Sequence, residues 1–319
     1  MDLQRHAPYA DRPKKKIAIS GASGLIGQHL CDFLQVGGHD VYKLVRRSPT
    51  SEKEIQWDLL NETVEHHKLE GMDAIIHLAG ESIDGRWTKM KKARILQSRK
   101  KGTSLLSKTI AELSSPPSVF ISASAVGAYG DQGNSVVSED SPLADDFLGQ
   151  VCQQWERATL PVQERGIRVV HPRIGLVLSA KGGALPKMLT PFSLGVGGQI
   201  GSGKQWMSWI ALDDLLGLFL EMIHNEEYRG AVNAVSPGPV QNREFTKTLA
   251  KVLNRPAIFP VPSAAITLMF GEMGKTLLLQ GAKVRPSRAL QHNFQYGFPT
   301  LKEALQFELG KMEAEPSSE

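Results

Sequence analysis

Hydrophobic positions along the chain change period repeatedly, and each change predicts a new element. Ile17-Ala18-Ile19-Ser20 is a short β-rich run that stops at Gly21, after which Leu25, Ile26, Leu30, Phe33 and Leu34 fall at helical spacing. Gly37-Gly38 closes that helix, and Val41, Leu44 and Val45 mark a second strand over 40–45. A helix linking two strands over so short a span predicts a parallel βαβ unit. Further strands are predicted over 54–57, 73–78 and 119–124. The nearly continuous run Ala74, Ile75, Ile76 and Leu78 suits a sheet covered on both faces. A long helix is expected over 88–113, stopped by Pro116-Pro117, and another over 147–164 leads into a strand over 168–171.

Past Arg173 the pattern loosens. Gly182-Gly183, Gly195, Gly197-Gly198, Gly201 and Gly203 punctuate short segments, and helices are predicted over 212–224, 246–253, 264–281 and 301–309. Strands and helices alternate through the first 180 residues, so the fold class is α/β: a Rossmann-type doubly wound parallel sheet with a smaller C-terminal α/β substrate lobe.

Composition narrows the partners. The 319 residues carry a formal charge of +4 with 22% charged and 41% hydrophobic residues, an ordinary globular balance that excludes a disordered chain. Five basic residues against Asp2 and Asp11 give the first 16 residues a net +3. The other basic knot runs from Arg86 to Lys101, with eight Lys or Arg and no acid. Aromatic residues are not interleaved with those charges, so no nucleic acid is expected as partner. There is no 18-residue apolar run, and so no membrane span is expected. Cys31 and Cys152 match no metal-ligand spacing; no metal is expected, and a reducing, cytoplasmic setting is. The basic N-terminus also fits an organellar import segment.

Gly21-Ala-Ser-Gly24-Leu-Ile-Gly27 is a G-x-x-G-x-x-G turn at the first strand-to-helix junction. Glycine is needed there for the sharp turn and for close approach of a pyrophosphate to the helix N-terminus, whose free amides attract anions. The next strand ends in Arg46-Arg47. An acid at this point favours the ribose hydroxyls of NAD; two arginines suit a 2′-phosphate, which predicts NADP(H).

These motifs, with Asp73-Ala-Ile-Ile-His-Leu-Ala-Gly80 and Ile121-Ser-Ala-Ser-Ala-Val-Gly-Ala-Tyr-Gly130, resemble the extended short-chain dehydrogenase/reductases, the NAD(P)-dependent epimerase/dehydratase superfamily. Trp57-Asp58, Arg86-Trp87, Ser98-Arg99, Trp155-Glu156, Asp213-Asp214, the segment from Gly201 to Ile210 and the ending Arg285-Pro…Arg288 are similar to an "epimerase family protein" subgroup with its own C-terminal domain. The resemblance implies a basic extension over 1–15, an NAD(P)-binding epimerase-like domain over 16–239, a family-specific domain over 240–310 completing the substrate lobe, and a polar tail over 311–319. It places Gly21, Ser23, Gly24, Leu25, Ile26 and Gly27 around the pyrophosphate and Arg46 and Arg47 at the 2′-phosphate. Asp58 falls near adenine, Leu78, Ala79 and Gly80 beneath the nicotinamide ribose, and Arg99 faces the cofactor; Arg173, ending its strand next to the cleft, reads equally as a partner of cofactor or substrate phosphate and as half of a structural ion pair.

Family chemistry uses a tyrosine made acidic by a lysine four residues later, because an ordinary tyrosine, pKa about 10, is a poor base near neutrality. No Tyr-x-x-x-Lys occurs in this chain. Where the pair should fall, Phe147 or Leu148 replaces the tyrosine and Val151 or Cys152 the lysine. Ser124 keeps the position of the substrate-orienting serine, and Tyr129 is the alternative acid, so these two are the catalytic candidates. Glu156 is expected to organise its helix, and His77, His171 and Cys152 to sit in the core.

The reading is an NADP(H)-dependent, epimerase-like oxidoreductase that transfers hydride reversibly on a small polar, carbonyl or nucleotide-sugar substrate, as monomer or homodimer. The rival reading is a catalytically degenerate NADPH-binding regulatory or structural protein, linked to cell division as some bacterial members are described.

Overall fold

In the computed structural model, residues 12–312 are described. The part of the basic extension before residue 12 and of the polar tail beyond 312 lies outside the described residues.

The first half alternates as the hydrophobic periods predict: β1 (Lys16–Ser20), α1 (Leu25–Val36), β2 (Asp40–Val45), β3 (Glu54–Asp58), β4 (Thr63–Val64), β5 (Ala74–His77), α2 (Lys89–Glu112), β6 (Val119–Ser122), β7 (Ser124–Ala125) and β8 (Val136–Val137). Then come α3 (Phe147–Arg157), α4 (Leu160–Glu164), β9 (Arg168–Ile174), β10 (Leu176–Leu178), α5 (Leu185–Ser193), β11 (Trp206–Met207), β12 (Trp209–Ala211), α6 (Leu212–His224) and β13 (Gly230–Ala234). The C-terminal part holds β14 (Val240–Gln241), α7 (Asn242–Leu253), α8 (Ser263–Phe270), α9 (Glu272–Leu278), β15 (Lys283–Val284), α10 (Ser287–Gln291) and α11 (Leu301–Glu308).

The main sheet runs β13-β9-β6-β5-β1-β2-β3-β4, parallel except for β4 at its edge, with β7 also paired to β9. Strand order reverses between β1 and β5, the place where an open α/β sheet leaves a crevice at its C-terminal edge. Strand alternation builds a core on each face. Ile17, Ile19, Ala74, Ile76, Val119 and Ile121 pack with α1 and α6 residues on one side. Ala18, Ile55, Ile75 and Phe120 face α2 residues Leu106 and Ile110 on the other. A third cluster, around Trp209, Phe245, Phe298 and Leu305, holds the C-terminal lobe together.

Three predicted boundaries move. The helix expected over 147–164 breaks after Arg157, because Pro161 has no N–H for the Arg157 carbonyl four residues back, and Thr159 turns its hydroxyl onto the Glu156 carbonyl at 2.7 Å. The helix expected over 264–281 is two helices, because Gly271 takes φ +62° between them. The strand expected to end at His171 continues to Ile174, since β7 and β13 supply pairing partners on either side of it.

Candidate functional site

Gly21 ends β1 with φ +73°, and a Cβ on it would lie 2.8 Å from the Ala79 nitrogen, so the turn after β1 nests against the chain leaving β5. Gly27, inside α1, is required by packing too: its Cβ would fall 2.2 Å from the Gly21 carbonyl oxygen. Gly24 differs from both. It is exposed, its φ of −79° is open to any residue, and a Cβ would meet nothing nearer than the Gly21 oxygen at 3.4 Å. The fold itself therefore gives no reason for glycine at 24. It is the N-cap of α1, which has no side-chain cap and no acid in its first turn, so positive amide ends face the crevice unsatisfied. Ser23 is exposed beside it, and Leu25 and Ile26 are half-buried.

Arg46 and Arg47 leave the same edge at the end of β2. Arg46 is exposed and has no hydrogen bond or ion pair among the described residues. Arg47 donates to Glu54 Oε2 at 2.8 Å and also to Oε1, a fork-on-fork pair, with Thr50 donating to the same carboxylate. The Arg47 guanidinium, then the Thr50 amide, hold the Glu54 carboxyl down to about 2. Asp58 accepts from the amides of Leu60 (2.7 Å) and Asn61 (3.3 Å) and from Asn61 Nδ2 (2.8 Å), so its carboxylate closes the turn after β3. Leu78 and Ala79 are half-buried and Gly80 exposed where β5 opens toward the crevice. A Cβ on Gly80 would come 3.3 Å from the Arg99 guanidinium carbon. Arg99 donates to the carbonyls of Glu81 (2.9 Å) and Ile95 (3.2 Å) and lies over the Trp155 ring at 4.9 Å. That places a largely buried cation beside the chain at Gly80.

The basic knot on α2 is partly neutralised within the chain. Lys91 pairs with Glu81 at 2.7 Å, Arg94 approaches the same carboxylate at 3.6 Å, and Lys92 reaches Glu272 of α9 at 2.7 Å while covering the Phe147 ring. Arg86, Lys89, Lys100 and Lys101 are exposed.

The catalytic candidates sit in a buried polar chain. Register pairs Ser124 of β7 with Arg173 of β9. Ser124 Oγ donates to Glu156 Oε1 at 2.7 Å, and Arg173 clamps the same carboxylate with Nε and Nη2, both at 2.9 Å. Arg173 Nη1 reaches the Tyr129 hydroxyl at 2.9 Å and the Glu139 carbonyl at 3.2 Å. Tyr129, with no exposed surface, donates to Asn233 Oδ1 at 2.6 Å. Asn233 in turn donates to the Arg285 carbonyl at 2.9 Å and, from its amide, to Glu139 Oε1 at 3.0 Å. Arg173, expected at a phosphate, thus has its guanidinium committed to a carboxylate, a phenol and a carbonyl. Tyr129, expected as an acid, faces inward, and burial raises its pKa. Arg173 opposes that without reversing it. Both side chains are engaged by partners within the protein.

Burial works to raise the Glu156 pKa, but the Arg173 clamp outweighs it and the carboxyl lies below its ordinary 4.5. A carboxyl depressed by folding stabilises the protein above its unfolded value and loses that contribution as pH falls through the folded one. Wild-type stability is therefore expected to fall below about pH 4.5 with a component absent from Glu156→Gln, read by urea unfolding across pH. Arg173→Ala, which strands a buried carboxylate, should cost about 3–5 kcal/mol while changing NADPH affinity less than about threefold. A large affinity loss at unchanged stability would return Arg173 to the cofactor.

Where the tyrosine and lysine are missing, Leu148 and Val151 are buried in an apolar cluster with Trp87, Ile95 and Met273 of α9. Burial pushes the Cys152 thiol up to about 11, and it donates to the Ala125 carbonyl, as a core cysteine does. His77 is buried against Ser20 Oγ at 2.6 Å, and burial, then Arg99, take its pKa down to about 3. Among the described residues no group of His, Cys, Asp and Glu could hold a metal ion, and no helix is long and apolar enough to cross a membrane. Sequence reasoning missed Glu54, Glu139 and Asn233. The Arg285-Pro…Arg288 motif was the available signal for the last two, because the Arg285 carbonyl and the Arg288 amide bond to them.

Residues 17–234 match the NAD dependent epimerase/dehydratase family, and 261–308 match a domain of unknown function, DUF1731. The chain belongs to the NAD dependent epimerase/dehydratase family. An epimerase family protein of Mycobacterium bovis, Mb2239, is 39% identical over 290 residues, 91% of this chain and 96% of that one. Human SDR39U1 is 37% identical over 295 residues, 91% and 98%. The crystal structure of human SDR39U1 isoform 2 with NADPH superposes with a TM-score of 0.86 at 35% identity, covering 93% of this chain and all of that one. Family membership accounts for the crevice at the β1–β5 reversal and for the glycine turn that faces it.

Proposed function

We propose that this family member binds NADP(H) at the Gly21–Gly27 turn and acts as an oxidoreductase of epimerase type on a small polar, carbonyl or nucleotide-sugar substrate. The observation that carries the reading is Gly24: an exposed glycine that neither backbone angle nor packing requires, capping a helix with no other cap. Close approach of a pyrophosphate explains it. The solved human relative contains NADPH, and Arg46 and Arg47 supply guanidinium groups for a 2′-phosphate.

NADP(H) would supply the hydride and water the balancing proton, since Ser124 gives its hydrogen to Glu156 and Tyr129 gives its own to Asn233. The chain's own part is to hold it: amides of Ser23, Leu25 and Ile26 on the pyrophosphate, arginines on the 2′-phosphate, Leu78 to Gly80 beneath the ribose, and the Asp58 turn beside adenine. Ser124, with only 2% of its surface exposed, is the group at the end of the sheet that keeps the place of the substrate-orienting serine. Its one hydrogen goes to ionised Glu156, which accepts only, so Ser124 offers lone pairs and receives a hydrogen bond from a substrate hydroxyl. The absent Tyr-x-x-x-Lys supports a second reading, an NADPH-binding regulator without turnover.

Deuteride transfer from labelled NADPH to a wide set of carbonyl compounds and nucleotide sugars separates the two readings. The enzyme reading expects a labelled product, lost in Ser124→Ala and kept in Tyr129→Phe. Transfer to no member of the set would favour the regulator.

A further inference from the structure

The parallel strands put the glycine turn at one edge of the sheet and leave another cavity at the opposite edge, where β6, β9 and β13 begin. This cavity measures about 260 Å³ and is lined by Ser118, Arg165, Arg168, Glu226 and Arg229 among others. We infer that it is an anion site for the phosphoryl group of a small phosphorylated ligand, separate from the cofactor crevice.

Arg168 is the reason. It opens β9 and is 6% exposed, yet its guanidinium meets no carboxylate within ion-pair distance among the described residues. Nη1 donates to the carbonyls of Met222 (2.8 Å) and Tyr228 (3.0 Å), and Nη2 to that of Ile223 (3.2 Å). Two of these carbonyls end α6, whose dipole supplies about half a negative charge, so part of the buried cation stays uncompensated. A guanidinium has five N–H donors, and three bonds leave two without an acceptor among the described residues. Burial and then the nearby Arg229 lower its pKa, with Glu226 opposing, which records how close the second cation stands.

Arg165 and Arg229 are exposed, and neither side chain has a hydrogen bond or ion pair among the described residues. Three guanidiniums against the single carboxylate of Glu226 leave an excess of two positive charges around one cavity. A phosphoryl dianion matches that excess, and its oxygens match guanidinium forks better than a monovalent ion does. The lining is mainly polar, which disfavours an apolar occupant.

Titration calorimetry of the whole protein with inorganic phosphate, at low ionic strength and with NADPH saturating so that the glycine turn is filled, tests the site. One equivalent should bind, and added salt should weaken it. Arg165→Glu/Arg229→Glu should reduce the affinity at least about tenfold and leave NADPH affinity unchanged. Arg165→Gln/Arg229→Gln, of similar side-chain length, gives the same test should the charge reversal disturb folding, which thermal melting reports. No binding to the wild type, or binding undiminished in a folded double variant, overturns the inference. The double variants decide it even where NADPH itself fails to bind, an outcome that would count against the proposed function alone.

Discussion

Replacing Arg46 and Arg47 together by alanine is expected to weaken NADPH binding about 100-fold and NADH binding less than about threefold, because only NADPH carries the 2′-phosphate that two guanidiniums can grip. The two arginines should not contribute equally. Arg46 is exposed and unpaired, whereas Arg47 is already held fork-on by Glu54, itself anchored by Thr50. A phosphate must share Arg47 with that carboxylate, so Arg46→Ala should carry the larger loss. Glu54→Gln, which releases Arg47 from a full negative charge, should tighten NADPH a few-fold. Fluorescence titration with both nucleotides reads all three variants. Equal losses for NADPH and NADH in the double variant would show that the arginines do not read the 2′-phosphate.

The glycines of the first turn should separate binding from folding. Gly24→Val is expected to cut NADPH affinity at least about 100-fold with a melting point only a few degrees below wild type, about the cost of a poorer N-cap, since the backbone angle admits a side chain and the ligand's approach is blocked. Gly27→Ala should do the reverse. Its methyl group would lie 2.2 Å from the Gly21 carbonyl and 2.9 Å from the Ala22 Cα, so the backbone of the first βα unit must shift. Overpacking against backbone costs about 1–3 kcal/mol or more, visible as a fall in denaturant midpoint before any ligand is added. Gly24→Val retaining wild-type affinity would remove the main support for a pyrophosphate at this turn.

Much of the scaffold is legible in the sequence because it rests on local periods. Alternation of Ile17, Ala18 and Ile19 between two cores follows from the two-residue repeat of a strand, and the α1 face from a 3.6-residue one. The breaks within the predicted 147–164 and 264–281 helices were harder, since both carry apolar residues straight through the break. Pro161 in one case and a left-handed glycine in the other decide them.

The glycine turn and the paired arginines were equally legible, for their placement at the ends of β1 and β2 follows from the residues next to them in the chain. The catalytic half was not. Ser124, Tyr129, Glu156 and Arg173 each suggested a role from its neighbours in sequence, but their roles depend on partners 17 to 104 residues away.

The sequence by itself determined the βαβ order, the family, the glycine turn and the missing Tyr-x-x-x-Lys, because all of these are properties of adjacent residues. Only the tertiary structure decided that Arg173 serves Glu156, that Tyr129 faces Asn233, and that Arg165, Arg168 and Arg229 share one cavity. Charges find their partners across strands rather than along them, and which guanidinium is left without a carboxylate follows from the packing of the sheet.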